Sequence, residues 1–216
     1  LWPSYIDNID LRFEIFGDQS QLFAVSSFYK SFKDPIELTY YESSTENFQP
    51  KNLGNAKVYG LEFEIRKQLS NSLGVNLNAS IIESRQKYGE SELSLRTKGL
   101  REGETLGNYR RLQGQSPYLI NSSLDYKNEN GLNAGLFFNI QGKTLEVVGT
   151  GFAPDVYTQP FESLNLNLSK SFGENQNKIM TVKIENILDS KKQSIYESFK
   201  ADNKVFSFRD QGITFT

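Results

Sequence analysis

Neither cysteine nor histidine occurs in the 216 residues. Their absence removes the thiol nucleophile, the Ser/His triad, the imidazole proton shuttle and Cys- or His-based zinc sites, and with them most common catalytic designs. A chain without Cys leaves the redox compartment open and is compatible with an oxidising periplasm or cell surface. No run approaches the roughly 20 apolar residues of a membrane-spanning helix. Strands that show lipid only every second residue give a much weaker signal, so a membrane is not excluded. Basic and acidic residues number 24 and 26 and are interspersed, which gives no nucleic-acid footprint and no polyionic tail. The chain starts Leu1-Trp2-Pro3, without a basic segment leading into an apolar one; any signal peptide is expected to lie outside it.

What is present is a rhythm. Short connections at Gly17-Asp18-Gln19-Ser20, Ser70-Asn71-Ser72, Asn128-Glu129-Asn130-Gly131 and Gly173-Glu174-Asn175-Gln176-Asn177 alternate with long polar excursions over residues 33–56, 86–116, 143–160 and 189–208. Compact domains connect their elements through about 4 to 6 residues. Between the connections the chain has a period of two. Leu61, Phe63 and Ile65 alternate with Glu62, Glu64 and Arg66, and Val75, Leu77, Ala79 and Ile81 with Asn76, Asn78 and Ser80. Residues 120–126 and 132–140 form a second hairpin of this kind, and 164–169 with 179–187 a third. Residues 10–16 and 21–32 form an earlier hairpin whose second arm alternates poorly, so its faces stay unassigned. A last segment, residues 212–216, starts a further strand. The pattern predicts an all-β protein of about eight strands and the start of a ninth, each antiparallel to its neighbour in sequence.

A soluble antiparallel sandwich shares the period of two. The asymmetry of the connections and the character of the polar face favour instead a transmembrane β-barrel, with short periplasmic turns and long extracellular loops. Asn, Ser and Gln dominate that polar face, as suits a wet, confined lumen. Phe32, Tyr40, Tyr59, Tyr126 and Phe172 sit near strand ends and fit an interfacial girdle. Leu61, Phe63, Ile65, Val75, Leu77, Ile81, Leu164, Leu166 and Leu168 are then expected on the lipid side.

Several motifs carry no chemistry. Gly149-Thr150-Gly151 lacks the third glycine and the helix of a phosphate loop, and Gly114-Gln115-Ser116-Pro117 is no nucleophile elbow. Glu62 and Glu64 have the residue type for glycoside acid/base work, but alternate positions on a polar strand face are more often solvated. No catalytic residue, cofactor or metal is expected. The lumen candidates for ligand contact are Asn76, Asn78, Asn121, Asp125, Asn139, Asn165 and Asn167. In the loop from Gln86 to Ser116, Arg96, Arg101, Arg110 and Arg111 have the planar fork that captures carboxylate or phosphate. Their interspersion with Glu90, Glu92, Glu102 and Glu104 equally fits a salt-bridged, solvated loop. Tyr40-Tyr41 and the segment from Phe152 to Tyr157 offer rings for stacking or for pinning loops to the rim.

Five stretches carry a resemblance. They are residues 3–14 (PSYIDNIDLRFE), 28–37 (FYKSFKDPIE), 56–64 (AKVYGLEFE), 112–121 (LQGQSPYLIN) and 183–189 (KIENILD). In order and spacing they resemble the C-terminal half of TonB-dependent outer-membrane receptors, especially those typical of Bacteroidetes-type bacteria. The resemblance implies a barrel of about 22 strands filled by an N-terminal plug, with this chain as a C-terminal part of it. Plug, TonB-contacting segment and signal peptide would lie outside residues 1–216. It further implies the cell outer membrane, contact with its lipid, the TonB system as energy source, and a small-molecule or oligomeric nutrient as cargo. A non-transporting scaffold barrel, whose long loops hold a surface lipoprotein or other partner, is the alternative.

Overall fold

The computed structural model describes residues 1–41, 44–151, 153–197, 199, 204–207 and 214–215. In chain order the elements are β1 (Tyr5–Phe16), β2 (Leu22–Lys33), β3 (Ile36–Tyr41), β4 (Ser44–Asn52), β5 (Asn55–Ser70), β6 (Leu73–Lys87), α1 (Glu90–Lys98), β7 (Tyr109–Arg110), β8 (Tyr118–Lys127), β9 (Leu132–Gln141), β10 (Thr144–Val147), β11 (Asp155–Thr158), β12 (Phe161–Phe172), β13 (Lys178–Glu185), β14 (Ser194–Glu197), β15 (Lys204–Ser207) and β16 (Thr214–Phe215). Eight long strands, β1, β2, β5, β6, β8, β9, β12 and β13, form one antiparallel sheet in that order, and β16 continues it as a ninth beside Ile184 and Glu185. The two-residue β7 pairs with the upper end of β6. Of the segment 212–216, only 214–215 are described.

Register puts every expected outward residue on one face. Phe13, Val25, Phe63, Ala79, Ile120 and Ile140 stand opposite one another strand by strand. One step down, Ile15, Phe23, Ile65, Leu77, Ser122, Phe138 and Leu164 make the next row. Leu61, Ile81 and Leu168 are exposed, Phe63, Ile65, Val75, Leu77, Leu164 and Leu166 are half-buried by their cross-strand neighbours, and none of the nine enters a buried cluster. Apolar side chains of β1, which is paired on one side only, are also exposed, with Ile9 71%, Leu11 73% and Phe13 61%. In water such a band would cost about 25 cal/mol per Å²; it belongs against hydrocarbon.

The unassigned arm is now explained. On β2, Leu22, Ala24 and Ser26 are buried on the inner face, while Phe23 and Tyr29 point out. Phe28 and Phe32 also turn inward, packing on Ala56, Val58, Ile82 and Leu112. Both faces of β2 carry apolar residues, so the alternation is erased. Gly60 makes room for this: a Cβ there would lie 2.5 Å from the Ile81 carbonyl oxygen and 2.8 Å from Phe28 Cζ. The short turns hold their type by local bonds. At the third, Gly131 has φ 78°, a left-handed conformation that glycine adopts without strain, while the Leu132 amide donates to Asn128 Oδ1 at 3.0 Å.

The long excursions are not the irregular loops the sequence suggests. Residues 33–56 contain the β3–β4 hairpin, 86–116 contain α1, and β10, β11, β14 and β15 from the last two form a four-stranded sheet of their own. Together they build a cap at the long-loop end. Its core is Tyr40, Val147, Ala153 and Val156 with Tyr196 against them, and Leu53, Leu145 and Val148 with Tyr157. The expected aromatic girdle therefore loses two members. Tyr40 is 1% exposed inside the cap, donating to the Tyr196 hydroxyl at 2.9 Å, and Phe32 packs inward. Tyr59, Tyr126 and Phe172 remain exposed at strand ends. Phe152 lies outside the described residues, and Ala153 and Val156 are buried, which leaves Tyr157 half-buried under Lys143.

The two faces of β12 give a direct test. Leu166 lies mid-strand on the outer face and Asn167 beside it on the inner one. Leu166→Arg is expected to destabilise the protein in bilayers by about 2 to 4 kcal/mol, and Asn167→Arg by much less. Urea unfolding in lipid vesicles reads the difference, and equal costs would remove the assignment of faces.

Candidate functional site

The inner face gathers the seven expected lumen residues into one wall. Glu64, Asn78, Asn121, Asn139 and Ser163 stand opposite one another across five consecutive strands. One step toward the short turns come Arg66, Asn76, Ser123, Phe137 and Asn165, and one step further Asp125, Gly135, Asn167 and Lys183. Alternation alone produces this, because a period of two on antiparallel neighbours in register stacks like with like.

The wall is internally hydrogen-bonded but keeps polar groups exposed. Asn76 Nδ2 donates to Ser123 Oγ at 3.0 Å and to Asp125 Oδ2 at 3.1 Å, and Asn139 donates to Asn121 Oδ1. Asn165 Oδ1 is taken by the Asn186 amide at 2.8 Å, which ties the wall to the end of β13. Asn78, Asn121, Asp125, Asn139 and Asn167 are exposed on the inner face. Asn76, Asp125 and Asn167, with Arg66, Thr181 and Lys183, line a recess of about 730 Å³ toward the short-turn end. Beside it runs an ion-paired line that the sequence reading did not single out. Arg12 Nη2 meets Glu64 Oε2 at 2.8 Å, and Arg66 Nη2 meets Glu64 Oε1 at 2.5 Å. Amides that can both donate and accept, flanked by charges of both signs, suit a polar, hydroxyl-rich or zwitterionic solute.

The four loop arginines go to different places. Arg96 is fully buried: Nη2 meets Asp155 Oδ1 at 2.8 Å, Nη1 meets Oδ2 at 3.2 Å, and Nε meets Glu92 Oε1 at 3.1 Å. The rings of Tyr88 and Phe199 lie 5.0 and 5.1 Å from its guanidinium carbon. Arg110 is buried too, held by Glu37 at 2.6 and 2.9 Å, by Glu92 at 3.1 Å and by Gln86 at 3.0 Å. Arg101 stays at the surface, 2.8 Å from Glu104, and Arg111 is half-buried, with Nη1 enclosed and lacking a hydrogen-bond partner among the described residues. Of the charged excursion, two arginines thus form a dry network rather than a solvated one. Three carboxylates, Glu37, Glu92 and Asp155, share two guanidinium groups, a formal charge of −1.

Burial opposes the charge on both guanidinium groups, but Asp155 around Arg96 and Glu37 around Arg110 more than offset it, and both pKa values are raised. Glu104 is shifted down: burial alone would raise it, yet bonds from Arg101 and from the amides of Arg101 and Phe199 prevail. Tyr88 is pushed up to about 12, first by burial and then by Asp155 and Glu92. Glu37, Asp155, Gln113 and Tyr88 escaped the sequence reading. Gln113 is a stitch as central as any arginine, since its side chain accepts from Leu38 N at 2.6 Å and donates to Leu38 O at 2.9 Å and Glu146 O at 2.7 Å. The available signal was Glu37 between Ile36 and Leu38, a single carboxylate on the inward side of a short apolar strand.

Two outcomes follow for the cap. Asp155→Ala strands a buried guanidinium, so the cap is expected to lose about 3 to 5 kcal/mol while the sheet persists. Hydrogen exchange should then rise in residues 90–110 and 144–158 but not in β8 or β12; unchanged protection would show that the network holds nothing. The Tyr88 phenol, with its folded pKa above the ordinary 10.0, contributes stability that is complete below pH 10 and lost as pH rises toward about 12. Protease nicking of the cap should accelerate across that window, and a flat profile would contradict the assignment.

Comparison with known proteins agrees with this geometry. A model of the outer membrane protein beta-barrel family matches residues 1–216. No sequence among the curated proteins matches. Among solved structures, the ferric yersiniabactin uptake receptor FyuA from Yersinia pestis is similar with a TM-score of 0.65 at 18% identity, over 98% of this chain and 29% of that one. The copper transporter OprC gives 0.64 at 17% identity, over 99% and 30%. The ferric-catecholate import receptor Fiu from E. coli K12 gives 0.60 at 12% identity, over 89% and 24%. The chain thus spans less than a third of the length of these three proteins, and at such identities the likeness is one of fold. With its full length matched, its outward apolar band and its up-and-down strand order, the chain belongs to the outer membrane protein beta-barrel family and is part of a barrel wall in the outer membrane.

Proposed function

We propose that this chain is a part of the barrel of a TonB-dependent import receptor, and that the wall of Asn76, Asn78, Asn121, Asp125, Asn139, Asn165 and Asn167 lines the path of the nutrient. The observation that carries the reading is the in-register ladder Asn78–Asn121–Asn139: uncharged amides on three neighbouring strands, exposed on the inner face. A barrel that only anchored a cap would gain nothing from keeping these groups unburied. Three proteins of like fold, two import or uptake receptors and a copper transporter, support transport as the task. The cargo is then a polar nutrient, and energy would reach the barrel through TonB and a plug outside this chain.

The cap refines the part played by the loop arginines. Arg96 and Arg110 spend their donors on Asp155, Glu92, Glu37 and Gln86. Their contribution to recognition is to hold the loops in one arrangement over the lumen, whereas Arg101 at the cap surface, and the half-buried Arg111 that follows Arg110 in sequence, are the loop candidates for direct contact. Rigid loops present a ligand with fewer conformations to freeze, which lowers the entropy cost of binding.

The triple substitution Asn78→Leu, Asn121→Leu, Asn139→Leu in the full-length receptor tests this. Uptake of the cognate nutrient is expected to fall at least about tenfold, as expected when polar contacts worth about 1.4 kcal/mol or more in sum are lost. Heat resistance on gels should persist, because the outer face is unaltered. Wild-type uptake by a correctly inserted variant would exclude these residues from the path, and a receptor that binds surface partners but moves no solute would instead support a scaffold.

A further inference from the structure

Above its apolar band the outer face changes character within two steps. The row of Leu61, Ser27 and Ile81 is followed toward the cap by Tyr59, Tyr29 and Glu83, and then by Lys57, Ser31 and Arg85. One step further, Lys33 stands opposite Tyr5 and Asn55, and Lys87 opposite Tyr109. Their inner-face neighbours fix the direction: Ala56, Val58, Ser84 and Gln86 are buried, whereas Lys33, Lys57, Arg85 and Lys87 are exposed. Four cations thus share the lipid-side surface of three adjacent strands, β2, β5 and β6. A strand spacing of about 4.8 Å and a two-residue step of about 6.7 Å put their backbones within roughly 15 Å. Two acids lie nearby. Glu83 pairs with Arg85 Nε at 3.1 Å, and Asp7 stands opposite Ser31. Four positive against two negative charges leave the patch at +2.

Position decides what such a patch can meet. It lies at the long-loop end, just beyond the apolar band, at the height where aromatic residues mark the membrane–water boundary. Tyr29, Tyr59 and Tyr109, 38%, 39% and 57% exposed, stand in or next to the same rows. Among the described residues the short-turn end has no group of four; there the outer face carries Lys67 on β5, Lys170 on β12, whose Nζ donates to the Asn130 carbonyl, and Lys178 on β13. Facing lipid and not the lumen, the cations are turned away from any solute on the inner path. An anion held at that height by the membrane itself is the charge-complementary occupant, because the surface is continuous with the face that already contacts lipid.

We propose that Lys33, Lys57, Arg85 and Lys87 bind the phosphorylated headgroup of an outer-leaflet glycolipid. Arg85 uses only Nε for Glu83 among the described residues, so its terminal nitrogens face phosphate in the forked geometry that suits it, and the lysines supply mobile point charges around it. Tyrosines 29, 59 and 109 carry the junction between sugar and acyl chain, apolar ring against the tails and hydroxyl toward the headgroup. The inference rests on the outer-membrane barrel alone and stands whatever the receptor imports.

The test uses the full-length protein in detergent, delipidated and titrated with a bis-phosphorylated glycolipid, with native mass spectrometry as readout. Wild type should retain the lipid, and Lys57→Gln/Arg85→Gln/Lys87→Gln should bind it on the order of 100-fold more weakly, with each lost cation weakening lipid attraction several-fold. Lys57→Arg/Lys87→Arg and Lys178→Gln should bind as wild type does, and the dephosphorylated lipid should bind wild type as weakly as the triple variant binds the phosphorylated one. Equal retention by the triple variant, equal loss in Lys178→Gln, or indifference to the lipid's phosphates would each overturn the proposal. Displacement by millimolar inorganic phosphate would turn the site into one for free anions and overturn the lipid assignment. Should the triple variant lose its heat resistance on gels, single Lys57→Gln and the phosphate comparison on wild type decide the matter.

Discussion

Everything in this wall follows from one requirement: in hydrocarbon no backbone N–H or C=O can turn to water, so each must find a partner on the next strand. That requirement fixes antiparallel neighbours over eight to sixteen residues, as in β5 and β6, whose pairing runs from Ala56–Gln86 to Ser70–Leu73. It also fixes which residues may differ. The ladder is blind to side chains, so the outer face has only to be apolar and the inner face is free to vary.

The requirement ends where the lipid ends, and there the rules of burial return to those of a soluble protein. The buried apolar residues of this chain lie chiefly under and within the cap, among them Tyr40, Leu145, Val148 and Val156, while Leu11, Phe13 and Ile81 in the strands stand exposed. Inside and outside are inverted within one chain. Within the cap, ion pairs do what a larger apolar core would do elsewhere. Glu37 from β3, Glu92 and Arg96 from α1, Arg110 from β7 and Asp155 from β11 bring four segments to one point. Buried pairs of this kind add little net stability over apolar packing but penalise every arrangement that separates them. The gain is a single cap geometry.

Three surfaces therefore divide the work by what they face. The amide ladder lies on the inner face, the cap stands at the long-loop end, and the basic and tyrosine rows lie on the membrane side. The segregation comes from period two: Lys57 and Val58 are adjacent in sequence, yet one is exposed to the membrane side and the other is buried beneath the cap.

The sequence by itself determined the strands, their order and their two faces, because alternation is a local property and the short turns at 70–72 and 128–131 leave each strand no neighbour but the next. It also placed the asparagine ladder, since Asn78, Asn121 and Asn139 follow from face and order once register is set by the turns. It failed on β2, where Phe28 and Phe32 fill the inner face and cancel the period. It failed on the cap, where an excursion such as 86–116 carries no period at all. Only the tertiary structure decided that Arg96 meets Asp155 and Arg110 meets Glu37, 59 and 73 residues away. Such contacts depend on where three separate loops come to rest over the barrel rim, and no spacing within any one of them encodes that.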